Sequence, residues 1–251
     1  MTTECAIAGV ELRKSFGYVE ALRGATLSVA RGEVCVLFGD NGAGKSTLLR
    51  TLCGVHAPDG GEVVVDGRPA KFASIRDAHA VGIDVIHQDL ALAPHLSVLE
   101  NMFLGHEQLH GGWRRVVGAL ARGRMASAAD AALRELSIEL PSVRVPVRDL
   151  SGGQRQAVAV ARAVMWSRTA LLMDEPTAAL GPRQADVVCK TMREVADRGL
   201  GVFVISHDIP RMLRVADTAL VLRRGRVVLD APASSVAIDD VVRAMVGDDE
   251  E

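Results

Sequence analysis

Gly39-Asp40-Asn41-Gly42-Ala43-Gly44-Lys45-Ser46-Thr47 follows the apolar run Glu33–Phe38 and precedes a helical pattern over Lys45–Cys53. A strand that opens through a glycine-rich loop into a helix starting Lys-Ser-Thr has the pattern of a phosphate-binding loop. Glycines let backbone N–H groups turn towards phosphate oxygens, and the positive end of the helix dipole points to the same place. In that arrangement Lys45 reaches the β and γ phosphates of a nucleotide, and the Ser46 hydroxyl ligates Mg2+. The alternative, a chance glycine turn before a helix, is disfavoured by the full pattern in a strand-loop-helix context.

Thr169–Met173 and Gly201–Ser206 are again nearly continuous apolar runs, as strands covered on both faces require. Helical patterns at Gly153–Trp166 and Gln184–Arg198 alternate with them, which predicts an α/β domain around a buried parallel sheet. Ala6–Val29 and Gly61–Pro69 carry shorter β-like runs with turn signals, predicting a small antiparallel sheet beside the nucleotide loop. The stretch from about Leu90 to Ala163 reads as mainly helical, broken by the basic, glycine-containing Gly111-Gly112-Trp113-Arg114-Arg115. It is expected to be a helical subdomain inserted into a single domain spanning residues 4–246. The acidic residues 247–251 are expected to be a frayed tail.

With 251 residues, 49% of them hydrophobic, the chain can bury a core without disulfide support. Cys5, Cys35, Cys53 and Cys189 lack metal-ligand spacing and read as reduced, structural thiols. A net charge of -2 and a pI of about 6.4 give no general electrostatic reason to bind nucleic acid or anionic lipid. Apolar stretches such as Leu90–Leu99 fall short of the roughly 18 to 20 residues that a spanning helix needs. The N-terminus lacks a secretory pattern, so a cytoplasmic chain attached to a membrane only through a protein partner is expected.

A second chemical signal is Asp174-Glu175, at the end of Ala170-Leu171-Leu172-Met173. Two carboxylates at the carboxyl end of a buried strand would lie beside the phosphate loop, where Mg2+ sits. Asp174 suits metal-water coordination, and Glu175 suits accepting a proton from, or orienting, the water that attacks the γ phosphate. The third signal is Leu150-Ser151-Gly152-Gly153-Gln154 at the start of a helical pattern, where a hydroxyl, glycine backbone and helix N-terminus all favour an anion.

That pentapeptide resembles the signature of ABC transporter ATPases, and the three motifs stand in that family's order. The resemblance implies a P-loop ABC ATPase: an α/β fold with a RecA-like core, a small antiparallel β subdomain and an inserted helical subdomain. It further implies ATP and Mg2+ as ligands and two incomplete ATP sites per homodimer. Each site would join the Gly39–Thr47 loop of one subunit to Ser151, Gly152, Gly153 and Gln154 of the other. By the same resemblance Phe16 stacks on adenine, with Tyr18 as a nearby competitor. Gln88, in Ile86-His87-Gln88-Asp89, would sense Mg2+ and the attacking water, and His207 would be the switch histidine at the γ phosphate. The metal would thus be shared by Ser46, Gln88 and Asp174, with Glu175, His207 and Gln88 serving catalysis.

The chain departs from the family after Glu175-Pro176-Thr177. Ala178-Ala179-Leu180-Gly181 stands where Ser-Ala-Leu-Asp is usual, so Gly181 replaces an aspartate that organises the dimer interface. The wording at His87–Pro94, Glu100–Gly105 and Glu175–Gly181 looks like ATPases of ribose-, xylose- and fructose-type monosaccharide importers. With one set of motifs the chain is similar to the single-domain, fructose-type branch. The resemblance implies transmembrane permease partners, an indirect link to an extracytoplasmic sugar-binding protein, no direct sugar contact, and a place on the cytoplasmic face of the bacterial plasma membrane.

A soluble ABC ATPase acting on nucleic acid or ribosomes could use Arg114-Arg115, Arg122 with Arg124, or Arg223-Arg224 with Arg226, but no zinc-ligand cluster, long coiled-coil insertion or second ATPase half accompanies them. A nucleotide kinase or small GTPase would leave Leu150–Gln154 unexplained.

Overall fold

The computed structural model describes residues 4–86, 90–110, 120–136, 138–178 and 180–247. It divides into two compact units, Met1–Gln88 with Trp166–Glu251, and Asp89–Met165.

The first unit begins with an antiparallel hairpin, β1 (Cys5–Phe16) and β2 (Val19–Ala30). Where the sequence shows shorter β-like runs, the structure has two twelve-residue strands. The reason is register: shifts between Cys5/Ile7, Gly9/Leu12, Leu12/Arg13 and Lys14/Ser15 interrupt the pairing. Each such irregularity resets the period-two alternation, so a continuous strand reads as pieces. After β3 (Val34–Phe38) and α1 (Lys45–Leu52), β4 (Gly60–Val65) pairs with β1, and the short β5 (Arg68–Ala70) closes a sheet of order β2-β1-β4-β5. Pro69 in β5 suits an edge, because it has no N–H to offer a further strand.

The second sheet of this unit holds β3, β6 (Ile83–Ile86), β7 (Ala170–Asp174), β8 (Gly201–Ile205), β9 (Thr218–Arg223) and β10 (Arg226–Pro232), in the order β10-β9-β3-β8-β7-β6. All neighbours are parallel except the β9–β10 hairpin. Every residue of β3 and β8 is buried, which is why both read as unbroken apolar runs. Alternate residues Cys35, Leu37, Ala170, Leu172, Phe203, Ile205, Leu220 and Leu222 join one core with Leu48, Leu49 and Leu52 of α1. The same core takes Ile7, Leu12, Leu22, Leu27 and Val29 from the antiparallel sheet. Each such aliphatic side chain contributes about 1.5–3 kcal/mol by leaving water. Because β3, β7 and β8 run parallel, their carboxyl ends share one edge, and the loops after them meet there.

α2 (Ile75–Ala80) lies in the first unit, and the second unit holds α3 (Val98–Phe103), α4 (Arg122–Glu135) and most of α5 (Gly152–Trp166). Outside these helices the described residues of that unit are largely irregular, and Pro94, Gly105, Pro141 and Pro146 punctuate those stretches. The basic Gly111–Arg115 stretch lies outside the described residues. Asn101, wholly buried, organises the irregular entry: its Oδ1 accepts from Ala93 N at 2.7 Å, and its Nδ2 donates to the carbonyls of Ala93, Leu96 and Ser97. Asn101→Ala strands buried backbone groups and is expected to destabilise this unit by about 2 kcal/mol, read by urea denaturation.

Back in the first unit, α6 (Pro182–Asp197), α7 (Ile209–Met212) and α8 (Ile238–Val246) complete the chain. All four cysteines are free. Among the described residues no helix is long and apolar enough to cross a membrane.

Candidate functional site

A cleft of about 810 Å3 opens over the carboxyl ends of β3, β7 and β8 and is lined by residues of the first unit only. Asn41, Gly42, Gly44, Lys45, Ser46 and Thr47 form its floor, Asp174 and Glu175 one wall, and Ser206, His207 and Asp208 another. Gly44 is the N-cap of α1 at φ 106°, in the left-handed region, and a Cβ there would overlap the Ala21 carbonyl. Only glycine combines that backbone with that close approach. No side chain caps α1 and its first turn holds no acidic residue, so its N-terminal N–H groups are left for an anion.

Lys45 is buried, and its Nζ donates to the carbonyls of Gly39 at 2.8 Å and Asp40 at 3.0 Å. Burial pushes its pKa down, while the carboxylates of Glu175, Asp40 and Asp174 oppose that shift. Gly39, Asp40 and Ala43 belong to the loop itself; Ala43 N–H donates back to the Asp40 carbonyl at 3.1 Å.

Glu175 follows directly on β7 with φ 51°, a left-handed conformation that a non-glycine residue adopts at a cost of about 1–3 kcal/mol. Its N–H donates to the Ile205 carbonyl at 3.0 Å, which ties it to β8. The side chain is 14% exposed, and Oε1 lies 3.1 Å from His207 Nε2. That contact is a hydrogen bond when Nε2 carries the proton; otherwise buried Oε1 has no protein donor. Burial raises the Glu175 pKa above its ordinary value of 4.5, and the charge and backbone N–H of His207 pull it partly back.

A raised carboxyl pKa means that the folded protein binds more protons than the unfolded chain. This contribution costs stability as pH rises from 4.5 through the raised value, and the cost vanishes on acidification. Glu175→Gln, which cannot ionise, is therefore expected to raise the apo melting temperature near neutral pH, the difference closing as pH falls to about 4. Melting curves of the two proteins across that range measure it.

Ser46 and Asp174 line the same cleft and present a hydroxyl and a carboxylate oxygen, hard donors of the kind Mg2+ takes. Mg2+ keeps water and phosphate oxygens for most of its shell, so two protein donors fit it. Gln88 lies outside the described residues.

In the second unit, Ser151, Gly152, Gly153 and Gln154 open α5. Gln154 N–H donates to Ser151 Oγ at 3.2 Å, and Ser151 N–H donates to Gln154 Oε1 at 3.0 Å, a reciprocal cap. Ser151→Ala is expected to lower stability by about 1 kcal/mol through the lost cap, measurable by thermal melting.

Phe16, at the end of β1, is 46% exposed, makes an edge contact to His56 at 5.2 Å, and has Lys14 Nζ 5.7 Å from its ring centre. Tyr18 is fully exposed, and it is Val19, Glu20 and Ala21 that reach the cleft. Those three were missed in the sequence, along with Thr177, Leu180 and Arg211. Arg211 had a findable signal, since it sits four residues past a strand-end histidine. Gly181 is the N-cap of α6, immediately before Pro182, and offers no side-chain cap.

The ABC transporter family profile matches residues 22–178. A xylose/arabinose import ATP-binding protein of Sulfolobus acidocaldarius is 41% identical, over 94% of this chain and 91% of its own length. A ribose import ATP-binding protein of Burkholderia mallei is 40% identical over 98% of this chain, which spans 47% of that longer relative. Among solved structures, a nucleotide-free ATP-binding cassette from an ABC transporter superposes with a TM-score of 0.82 at 24% identity, covering 97% of this chain and 100% of the other. With the profile matched over most of its length and these relatives aligned along nearly all of it, the chain belongs to the ABC transporter family.

Proposed function

We propose that the chain is the ATPase subunit of a monosaccharide importer, acting as a homodimer on separate transmembrane permease subunits at the cytoplasmic face of the plasma membrane. The observation that carries it is Glu175: a buried carboxyl in a costly backbone conformation, 3.1 Å from His207 and in the cleft that holds Lys45. The sugar class is supported by the printed functions of the xylose/arabinose and ribose relatives. These also count against the nucleic-acid alternative.

In the mechanism, Gly39–Thr47 and the N-terminus of α1 bind the phosphates of ATP, and Lys45 supplies a buried positive charge beside them. Ser46 and Asp174, with Gln88, would hold Mg2+, which neutralises phosphate charge when bound. Glu175 orients the attacking water and accepts its proton; its raised pKa brings it closer to the operating pH, where proton acceptance is most effective. His207 holds the Glu175 carboxylate and would contact the γ phosphate. Phe16 supplies an aromatic face for the adenine. In the dimer Ser151–Gln154 would serve the partner's site, presenting a helix N-terminus to the γ phosphate. Closure of the dimer drives the permease through the 88–105 segment, within which Asn101 fixes the backbone. The helical subdomain around 90–163 would thus carry motion between ATP and membrane, while sugar touches other subunits.

Light scattering on Glu175→Gln tests this reading. A dimer that forms with Mg-ATP and falls apart without nucleotide is expected. A monomer under both conditions would overturn the shared-site mechanism.

A further inference from the structure

Arg211 lines the phosphate cleft and also a neighbouring pocket of about 530 Å3 that contains Asp186 and Cys189. Its guanidinium, 20% exposed, donates from Nη1 to Asp208 Oδ2 at 2.6 Å and from Nε to Asp186 Oδ1 at 3.2 Å. Its backbone N–H donates to the other oxygen of Asp208, Oδ1, at 3.2 Å. Asp208 follows His207 directly and is the N-cap of α7. Asp186 lies on α6, the helix that starts at the end of the Glu175–Gly181 segment. One side chain therefore joins the segment that carries the histidine to the helix behind the segment that carries the glutamate.

The chemistry of arginine suits that task. Its planar fork presents separate donors in fixed directions, so Nη1 and Nε can serve two carboxylates at once; a lysine ammonium is a single point of charge. Two carboxylates on one guanidinium also leave the cluster net negative. Arg211 Nη1 and Nε are already committed to Asp208 and Asp186, on the segments that flank the cleft. Its geometry is that of a brace behind the site.

We infer that Arg211 is a positioning residue for ATP hydrolysis: through Asp208 it fixes His207 beside Glu175, and through Asp186 it makes the histidine move together with α6. The inference rests on the roles given above to Glu175 and His207. Gly181, at the start of α6, carries no side chain able to bond to the histidine segment, whereas the Arg211–Asp186 pair provides a charged link from the same helix.

The test is steady-state ATP hydrolysis, with kcat and KM separated, for wild type, Arg211→Gln, Arg211→Lys, Asp186→Asn and the Arg211→Gln/Asp186→Asn pair, with Glu175→Gln as reference. Arg211→Gln is expected to lower kcat about tenfold with KM for ATP unchanged, the size of effect that slight misplacement of a reacting group produces. Arg211→Lys restores only part of that loss. Asp186→Asn, at a position largely open to solvent and so without risk to folding, lowers kcat less, and the pair is no worse than Arg211→Gln alone. Wild-type kcat in Arg211→Gln, full restoration by lysine, or losses that simply add would each overturn the inference. A fall in kcat accompanied by an equal loss of ATP affinity would do the same. Retained turnover in Glu175→Gln would instead overturn the catalytic assignment on which it rests, so the two failures are told apart.

Discussion

Glu175→Gln should lose about 10²- to 10⁴-fold in ATP turnover while still binding ATP. The carboxamide matches the carboxylate in size, so the φ 51° backbone and the N–H bond to Ile205 have no steric reason to change. What is lost is the ability to accept a proton. Binding survives because the groups placed at the phosphates, the N–H groups of α1 and the Lys45 ammonium, are untouched. Removal of a buried negative charge also relieves electrostatic repulsion with the γ phosphate. Phosphate release under saturating ATP gives the rate, and a fluorescent-nucleotide titration gives the affinity. Turnover within threefold of wild type would refute Glu175 as the proton acceptor.

The second large effect is at Lys45. Lys45→Met keeps an apolar stem of similar length but removes a buried cation, and ATP affinity is expected to fall about 100-fold, the order seen when one partner of a buried charged pair is truncated. The 2.8 and 3.0 Å bonds to the Gly39 and Asp40 carbonyls also disappear, so the loop loses its internal strut. The desolvated ammonium is itself a cost to the fold, as its lowered pKa shows. The apo protein is therefore expected to stay folded. Isothermal titration with ATP separates the two substitutions: binding without turnover at Glu175→Gln, and neither at Lys45→Met.

The parts of the site that are written in consecutive residues were legible. Gly39–Thr47 leads from β3 into the first turn of α1, Asp174 ends β7, and Ser151 caps α5, each where the local pattern places it. The parts that depend on distant residues were not. Ala21 approaches Gly44 because the antiparallel sheet folds over the loop, and nothing in the words around Ala21 announces it. The length of β1 and β2 was hidden by register shifts, which break the alternation that reveals strands. In the second unit Asn101 holds an irregular stretch by bonds to three carbonyls that no periodicity encodes.

The reciprocal cap at Ser151 and Gln154 has an outcome beyond holding a helix end. Both of its bonds occupy oxygens: Ser151 Oγ and Gln154 Oε1 each accept a hydrogen from the chain itself. The Ser151 hydroxyl hydrogen and the Gln154 Nε2 hydrogens stay unengaged by the cap, alongside the Gly152 and Gly153 N–H groups at the first turn of α5. The tip is thereby biased towards giving hydrogen bonds, and a species rich in lone pairs satisfies it better than a cation or an apolar surface. That bias exists in the single chain, before any ligand or second subunit arrives.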